Sequence, residues 1–360
     1  MKTKAIALAT VGMLWGLAPA AAPAPVPTAD YDWIDGRTLK IEGRGFDAKD
    51  EPYVRIPRRF VGKAPNSVTS MGRQSTGLSF RFRTSSRKLV VRWQVVPRGW
   101  TDPLMSPSGL QSVAVWAHED GGDWEFVRKA HPKADGTNEL TCAWSPSRTG
   151  LVYLPTRADV LKLEIGVEKG ARFESLSRKT SERIVHYGTS IVHGGCVSQP
   201  GMMFTSFMGR ILDREVVNLG FSGAGKMEPE MADLLAEIEA SLYIVDCDWN
   251  MNVGLQKERY EPFVRKLRAL RPKTPILLCG GCTTERAPRQ EEVYAKSVYV
   301  KLKAEDPVLW KDLHFLSGVG QLPFESFATH DHCHPNDYGS VFMGKVYAAA
   351  VERILKPSGK

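Results

Sequence analysis

The chain has 360 residues, of which 42% are hydrophobic and 24% charged, a balance that excludes a mainly disordered protein. Its length fits two or three domains, and 32 glycines with 23 prolines are too few for a collagen-like chain. The net charge of +8 is scattered; no basic block is interleaved with aromatics as a nucleic-acid groove requires, so nucleic acid is not an expected partner.

At the N-terminus, Lys2 and Lys4 flank the start of an apolar run over 5–17, followed by Ala18-Pro19-Ala20-Ala21-Ala22. That is the layout of an export signal. The run is shorter than the roughly 20 residues a spanning helix needs. A signal peptide over 1–22 and a secreted or periplasmic protein without stable membrane insertion are expected; a retained N-terminal anchor is the alternative.

Residues 30–168 carry strand signals and almost no helical period. Short runs over 78–83, 89–96, 112–118, 124–128, 151–154 and 160–166 are rich in Val, Phe, Trp and Leu. Turn signals such as Asp120-Gly121-Gly122-Asp123 and Asp135-Gly136-Thr137-Asn138 separate them. This spacing predicts an N-terminal β-sandwich or jelly-roll domain. Trp93, Trp116 and Trp124 read as its core, with sugar stacking the alternative.

A polar stretch over 168–182 comes next, and then the period changes. Apolar strands over 183–187, 215–219, 242–246, 275–279 and 313–316 alternate with helices expected over 200–212, 229–240, 257–270, 291–304 and 338–355. Repeated strand-then-helix units over 180–357 predict an α/β domain, a parallel sheet with helices on both faces. The last helix offers Val341, Phe342, Val346, Ala349, Val351 and Leu355 as its apolar stripe. Six cysteines (Cys142, Cys196, Cys247, Cys279, Cys282, Cys333) are too sparse for a disulfide scaffold, and their pairing cannot be assigned. Cys279-Gly280-Gly281-Cys282 has redox or half-zinc spacing without a second pair of ligands.

In doubly wound sheets ligands bind beyond the carboxyl ends of the strands. The segments just past the strand ends carry reactive residue types. Gly188-Thr189-Ser190 comes after the first strand, Gly220-Phe221-Ser222-Gly223-Ala224-Gly225 after the second, and Cys247-Asp248-Trp249-Asn250 after the third. Asp331-His332-Cys333-His334 precedes the final helix. A serine needs a histidine to take its proton, the histidine needs a carboxylate to orient it, and the oxyanion needs N–H donors. All of these types are present. The set suits acyl transfer.

These blocks resemble the SGNH (GDSL-type) hydrolase superfamily, the group with an N-terminal β-domain. The likeness rests on Tyr187-Gly188-Thr189-Ser190, Gly194-Gly195-Cys196, Asn218-Leu219-Gly220-Phe221-Ser222-Gly223, Asn250 and the Asp331/His334 block. It implies a flavodoxin-like three-layer α/β/α fold and a serine ester hydrolase without cofactor or metal. By the resemblance, Ser190, His334 and Asp331 are catalytic, and Ser190, Gly223 and Asn250 form the oxyanion hole. Gly225 and Asn252 are the neighbours that could take the places of Gly223 and Asn250. Trp249 is the candidate substrate-facing aromatic. One departure is that Gly109-Leu110-Gln111-Ser112-Val113 stands near the place of the group's Gly-x-Asp-Leu-Tyr signature.

The expected substrate is an acylated small molecule or polysaccharide, with removal of acetyl groups from carbohydrate foremost and the β-domain positioning polymers. A lipid-type or thioester acylhydrolase is one alternative. A non-enzymatic carbohydrate-binding protein on a decayed hydrolase fold is another. His330, Asp331, His332 and His334 also permit a metal reading, with His186 and His193 as further donors.

Overall fold

A computed structural model describes residues 28–97, 102–178 and 182–356; the expected signal peptide over 1–22 lies outside them. The first half holds β1 (Tyr31–Asp35), β2 (Ile41–Glu42), α1 (Asn66–Met71), β3 (Ser79–Thr84), β4 (Lys88–Val95), α2 (Pro107–Gln111), β5 (Ala114–His118), β6 (Glu125–Lys129), β7 (Thr137–Ala143), β8 (Thr149–Tyr153), β9 (Val160–Glu168) and β10 (Phe173–Leu176). They form two antiparallel sheets. One has the order β1-β9-β4-β7; the other is β10-β3-β8-β5-β6, with β2 added on β3. Every second residue of β4 (Leu89, Val91, Trp93, Val95) enters a core shared with Phe80, Phe82, Val115, Val152, Leu163 and Ile165, the two-residue period of a half-buried strand.

Four strands were hidden from the sequence: β1 and β2 precede the first predicted run at 78, and β7 and β10 fall between or after the others. β7 begins inside the turn signal at Asp135-Gly136-Thr137-Asn138 and buries Asn138 with Leu140 and Cys142, so its inward face is partly polar. β10 lies in the stretch read as a polar connector and pairs antiparallel with β3. Trp93 is core, as expected. Trp116 is buried elsewhere: with Ala114, Leu151 and Tyr153 it packs on Met202 and Phe207 of the second half. The outer face of the second sheet is therefore an internal contact between the two halves.

The second half holds β11 (Arg183–Gly188), α3 (Phe204–Ile211), β12 (Glu215–Gly220), α4 (Pro229–Ala236), β13 (Leu242–Asp246), α5 (Val253–Leu270), β14 (Ile276–Cys279), α6 (Gln290–Glu305), β15 (Leu313–Leu316) and α7 (Asp337–Leu355). The strands form one parallel sheet in the order β12-β11-β13-β14-β15, the flavodoxin-like arrangement. Successive side chains go to opposite faces. Val185, Tyr187, Tyr243 and Val245 join the layer of α4, α5 and α6, and Ile184, Leu242 and Ile244 join that of α3 and α7. The chain before β3 also contributes: Phe46, Ile56, Phe60, Ala64 and Val68 belong to the first of these layers.

The expected stripe of α7 is corrected. Phe342 is exposed, and the buried face is Ser340, Met343, Gly344, Tyr347, Ala348 and Val351. Small residues on that face let the helix approach α3 closely: a Cβ on Gly344 would lie 2.4 Å from Phe207 Cβ and 3.0 Å from the Phe204 carbonyl. Hydropathy favours large side chains; close helix packing here selected small ones. The α3 helix is also shorter than expected, and turns occupy the preceding residues 189–201.

Candidate active site

Register aligns Gly188 of β11 with Gly220 of β12 and Asp246 of β13. β12 and β13 flank β11 on opposite sides, so three of the four expected blocks emerge together at the point where strand order reverses. Ser190 lies two residues past β11, half-buried in tight turns closed by His193 N–H to the Thr189 carbonyl (3.0 Å) and Gly195 N–H to the Ser190 carbonyl (2.9 Å). Asn218 of β12 fastens this segment: its Nδ2 donates to the Val192 carbonyl at 2.6 Å, and its Oδ1 accepts from Gly220 N–H at 3.0 Å.

The fourth block arrives from the loop before α7. A bridge between Thr329 and Pro335 closes that loop, and His332 takes a left-handed φ of 64° at its tip. Asn336 caps α7 by accepting from Gly339 N–H at 3.2 Å. Asp331 Oδ1 accepts from the N–H groups of Cys333 (3.1 Å) and His334 (2.8 Å), and its Oδ2 faces His334 Nδ1 at 2.8 Å. Partial burial pushes the Asp331 carboxyl up, but these hydrogen bonds from His334 and Cys333 outweigh it and hold the group below the usual carboxylate range. An ionised carboxylate only accepts, so Nδ1 carries the imidazole proton and Nε2 is left as acceptor. Ser190 Oγ lies 2.7 Å from that Nε2.

Donors for a developing oxyanion are also available. Among the described residues, the N–H groups of Ser190 and Gly223 have no protein acceptor. Gly223 is exposed at φ 69°, with open space where a Cβ would be. Gly225 differs: a Cβ there would lie 2.2 Å from the Gly188 carbonyl oxygen, so it is a close-packing glycine. Asn250 ends the 3-10 turn Asp248–Asn250, and its Nδ2 donates to the Ala224 carbonyl, which ties it to the Gly223 turn. Asn252 is the N-cap of α5, accepting from Leu255 N–H at 2.9 Å. Trp249 is half-buried; its indole N–H donates to the Cys282 carbonyl at 2.9 Å, and the Arg289 guanidinium lies 3.7 Å over its ring.

The sequence did not single out Arg55. This fully buried guanidinium donates to the carbonyls of Gly220 (2.8 Å), Met71 (2.8 Å), Gln74 (3.0 Å) and Asn218 (3.2 Å). It also meets His193 Nε2 at 3.2 Å. Burial, followed by the charges of Arg55 and Arg157, lowers the His193 pKa well below its ordinary value. The other ring nitrogen, Nδ1, faces Ser222, 3.1 Å from its Oγ and 3.4 Å from its backbone N–H. The residue before Gly223 is thereby held by a chain that starts 163 residues upstream of Asn218's carbonyl. No sequence motif marks it.

Of the metal reading, Asp331, Cys333 and His334 offer ligand atoms within 4.8 Å of one another, but Asp331 and His334 are already engaged with each other. His193 is engaged by Arg55, and His186 is buried beside Asp246, 3.5 Å from its Oδ2. All six cysteines are free thiols, and burial pushes both Cys279 and Cys282 well above the ordinary thiol range. That opposes thiolate chemistry at the Cys-x-x-Cys. Among the described residues, no helix is long and apolar enough to cross a membrane.

Residues 181–356 match the GDSL-like lipase/acylhydrolase family, and residues 31–173 match the N-terminal domain of SGNH-hydrolase-type esterases. The N-terminal match holds despite the altered signature at Gly109-Leu110-Gln111-Ser112-Val113. A solved structure from Bacteroides ovatus, described as a GDSL-like lipase, is 29% identical and covers 91% of this chain and 98% of its own, with a TM-score of 0.80. A salicylyl-acyltransferase from a tetracycline biosynthetic pathway shares the fold at 20% identity, covering 91% of this chain and 99% of its own, with a TM-score of 0.72. A family two carbohydrate esterase from Cellvibrio japonicus shares it at 11% identity, covering 90% and 98%, with a TM-score of 0.57. No curated protein matches the chain.

Proposed function

Residues 181–356 belong to the GDSL-like lipase/acylhydrolase family, which makes the protein a carboxylic ester hydrolase, and we propose that it works through Ser190, His334 and Asp331. The observation that carries this reading is the relay of 2.7 Å from Ser190 Oγ to His334 Nε2 and 2.8 Å from His334 Nδ1 to Asp331 Oδ2. His334 takes the serine proton as Oγ adds to the ester carbonyl, and Asp331 stabilises the imidazolium. The N–H groups of Ser190 and Gly223, with the Asn250 amide, receive the oxyanion. Collapse expels the alcohol, which takes the proton from Nε2. Water then attacks the acyl-serine by the same route, and no cofactor or metal enters these steps.

The substrate in this reading is a carbohydrate bearing acetyl or another short acyl group, and the protein is exported by its N-terminal segment. Gly195, which borders the Ser190 carbonyl and the His334 ring, and the exposed Gly223 turn support a short acyl group. A mouth at which the Asp331 side chain is 32% exposed supports a bulky alcohol. Carbohydrate esterases with the same fold, one of them solved with cellohexaose, lend analogy. The test is a series of p-nitrophenyl esters from acetyl to octanoyl. The acetyl ester should give the highest kcat/KM, and because each methylene changes discrimination by only about 1–3 kcal/mol, the whole series must be compared. A steady climb to octanoyl would leave a lipid-type acylhydrolase instead. Ser190→Ala should lose on the order of 10⁴-fold or more in kcat, and EDTA should change nothing; full turnover by that variant would end the triad reading.

A further inference from the structure

The β-sheet half reaches the nucleophile turn directly. Met105 and Leu110 pack with Val197 and Met203, and Lys129 Nζ donates to the Ser198 carbonyl at 3.2 Å. Arg157, in the loop after β8, is anchored by its own N–H on the Leu110 carbonyl (2.8 Å) and by Nη1 on Asp102 Oδ2 (2.9 Å). Asp102 is in turn fixed by Leu104 N–H on Oδ1 at 2.9 Å. The guanidinium is thus clamped on one edge. Its Nε is buried with no hydrogen-bond partner, and among the described residues its Nη2 has none either.

Gly195 locates the free edge. A Cβ built on Gly195 would lie 3.0 Å from His334 Cδ2, 3.1 Å from the Ser190 carbonyl oxygen and 3.2 Å from Arg157 Nη2. Cδ2 is bonded to Nε2, the imidazole atom that faces Ser190. Arg157 Nη2 and this edge of the imidazole therefore border the same small gap at Gly195, beside the ring atom that would pass a proton to the leaving alcohol.

Resting on the serine-hydrolase reading above, we propose that Arg157, held by Asp102, is a specificity residue that donates from Nη2 to a hydroxyl of the alcohol half of the ester, next to the scissile oxygen. The paired Asp102 offsets the charge of Arg157, so the pair suits the neutral oxygens of a sugar better than a carboxylate. A hydrogen bond from a charged donor that is lost in this way reduces recognition by about ten- to hundredfold.

The experiment compares kcat/KM for a mono-acetylated methyl glycoside with that for p-nitrophenyl acetate, which has no such hydroxyl. In Arg157→Ala, the ratio of the two should fall at least about tenfold, and Arg157→Lys should fall between it and wild type. Since Arg157→Ala removes a part-buried ion pair and can fail to fold, a second arm uses the wild-type enzyme alone. It should prefer the glycoside acetate over its analogue lacking the neighbouring hydroxyl by a similar factor. A ratio unchanged within twofold in a folded variant, equal rates on the glycoside and its deoxy analogue, or no turnover of either glycoside would each overturn the proposal. Ser190→Ala keeps the two readings apart: if it abolishes turnover while the ratio does not move, only the role of Arg157 is lost.

Discussion

Asn250 and Asn252 stand two residues apart, and the structure gives them opposite tasks. Asn250 Nδ2 holds the Ala224 carbonyl beside the Gly223 turn, which leaves its second amide hydrogen for an oxyanion. Asn252 Oδ1 accepts the Leu255 N–H at the start of α5. Removing one oxyanion donor typically costs about 2.7–4 kcal/mol in the transition state, a loss of roughly 10²–10³-fold in kcat. Asn250→Ala should show that loss, with KM nearly constant, and lose only about 1 kcal/mol of stability for one hydrogen bond. Asn252→Ala should do the reverse. Loss of an N-cap costs about 0.5–2 kcal/mol of stability, and kcat should stay within about threefold, since no step of the proposed chemistry touches it. Initial rates on p-nitrophenyl acetate and urea midpoints, measured on both variants, read the two quantities separately. A hundredfold loss of kcat in Asn252→Ala, or an Asn250→Ala enzyme with near wild-type kcat, would refute the assignment.

The two candidate glycines should separate as clearly in stability. Gly225→Ala forces a Cβ to 2.2 Å from a backbone oxygen at φ 73° and should destabilise strongly, whereas Gly223→Ala meets open space and should lose only the roughly 1–2 kcal/mol of a left-handed alanine. Equal urea midpoints would contradict that difference. Asp248 is a pH probe, because burial raises its pKa from 3.8 to about 7 despite the N–H donors on its oxygens. Between those values the unfolded chain has released a proton that the folded protein keeps. Stability should therefore fall as pH rises from about 4 to 7, by at most about 1.4 kcal/mol per pH unit, and level off above. Asp248→Asn should flatten that slope in urea midpoints, and an identical slope in both proteins would count against the shift.

The parallel sheet was legible because β11 to β14 are short, largely apolar and buried on both faces, so hydropathy and turn signals coincide. The residues around the relay were legible for a different reason: strand ends in such a sheet converge, so a serine, a glycine turn, an asparagine and an Asp/His pair after successive strands are brought together by topology. The features hidden from the sequence share one cause. β7 has a face with buried Asn138, α7 buries Gly344 and Ala348 rather than Phe342, and Trp116 looks like sandwich core yet packs against Phe207. In each case a partner distant in the chain overrides the local hydropathy. Arg55 and Arg157 are the extreme form, since an arginine in a loop carries no periodic signal and gains its role only from the groups that fold around it.

That pattern bears on the expectation that the β-domain only positions polymers. Arg55 lies before β3, yet it donates to the Asn218 and Gly220 carbonyls of β12 and meets the His193 ring that holds Ser222. Phe46, Ile56 and Phe60, from the same stretch, are core of the α/β half. A domain that only held a polymer would leave small-ester turnover untouched when its contacts were cut. Arg55→Met tests this. It keeps the bulk of the side chain but leaves four carbonyls and His193 Nε2 without their donor, each buried unsatisfied group costing about 1–3 kcal/mol. Even allowing for relaxation and non-additivity, the loss should be a large part of the roughly 5–15 kcal/mol that holds a domain folded. The urea midpoint should drop steeply, and the kcat on p-nitrophenyl acetate should fall with it, because the Ser222-Gly223 turn loses the support of His193. A variant with wild-type midpoint and wild-type small-ester turnover would show instead that the α/β half builds its site alone.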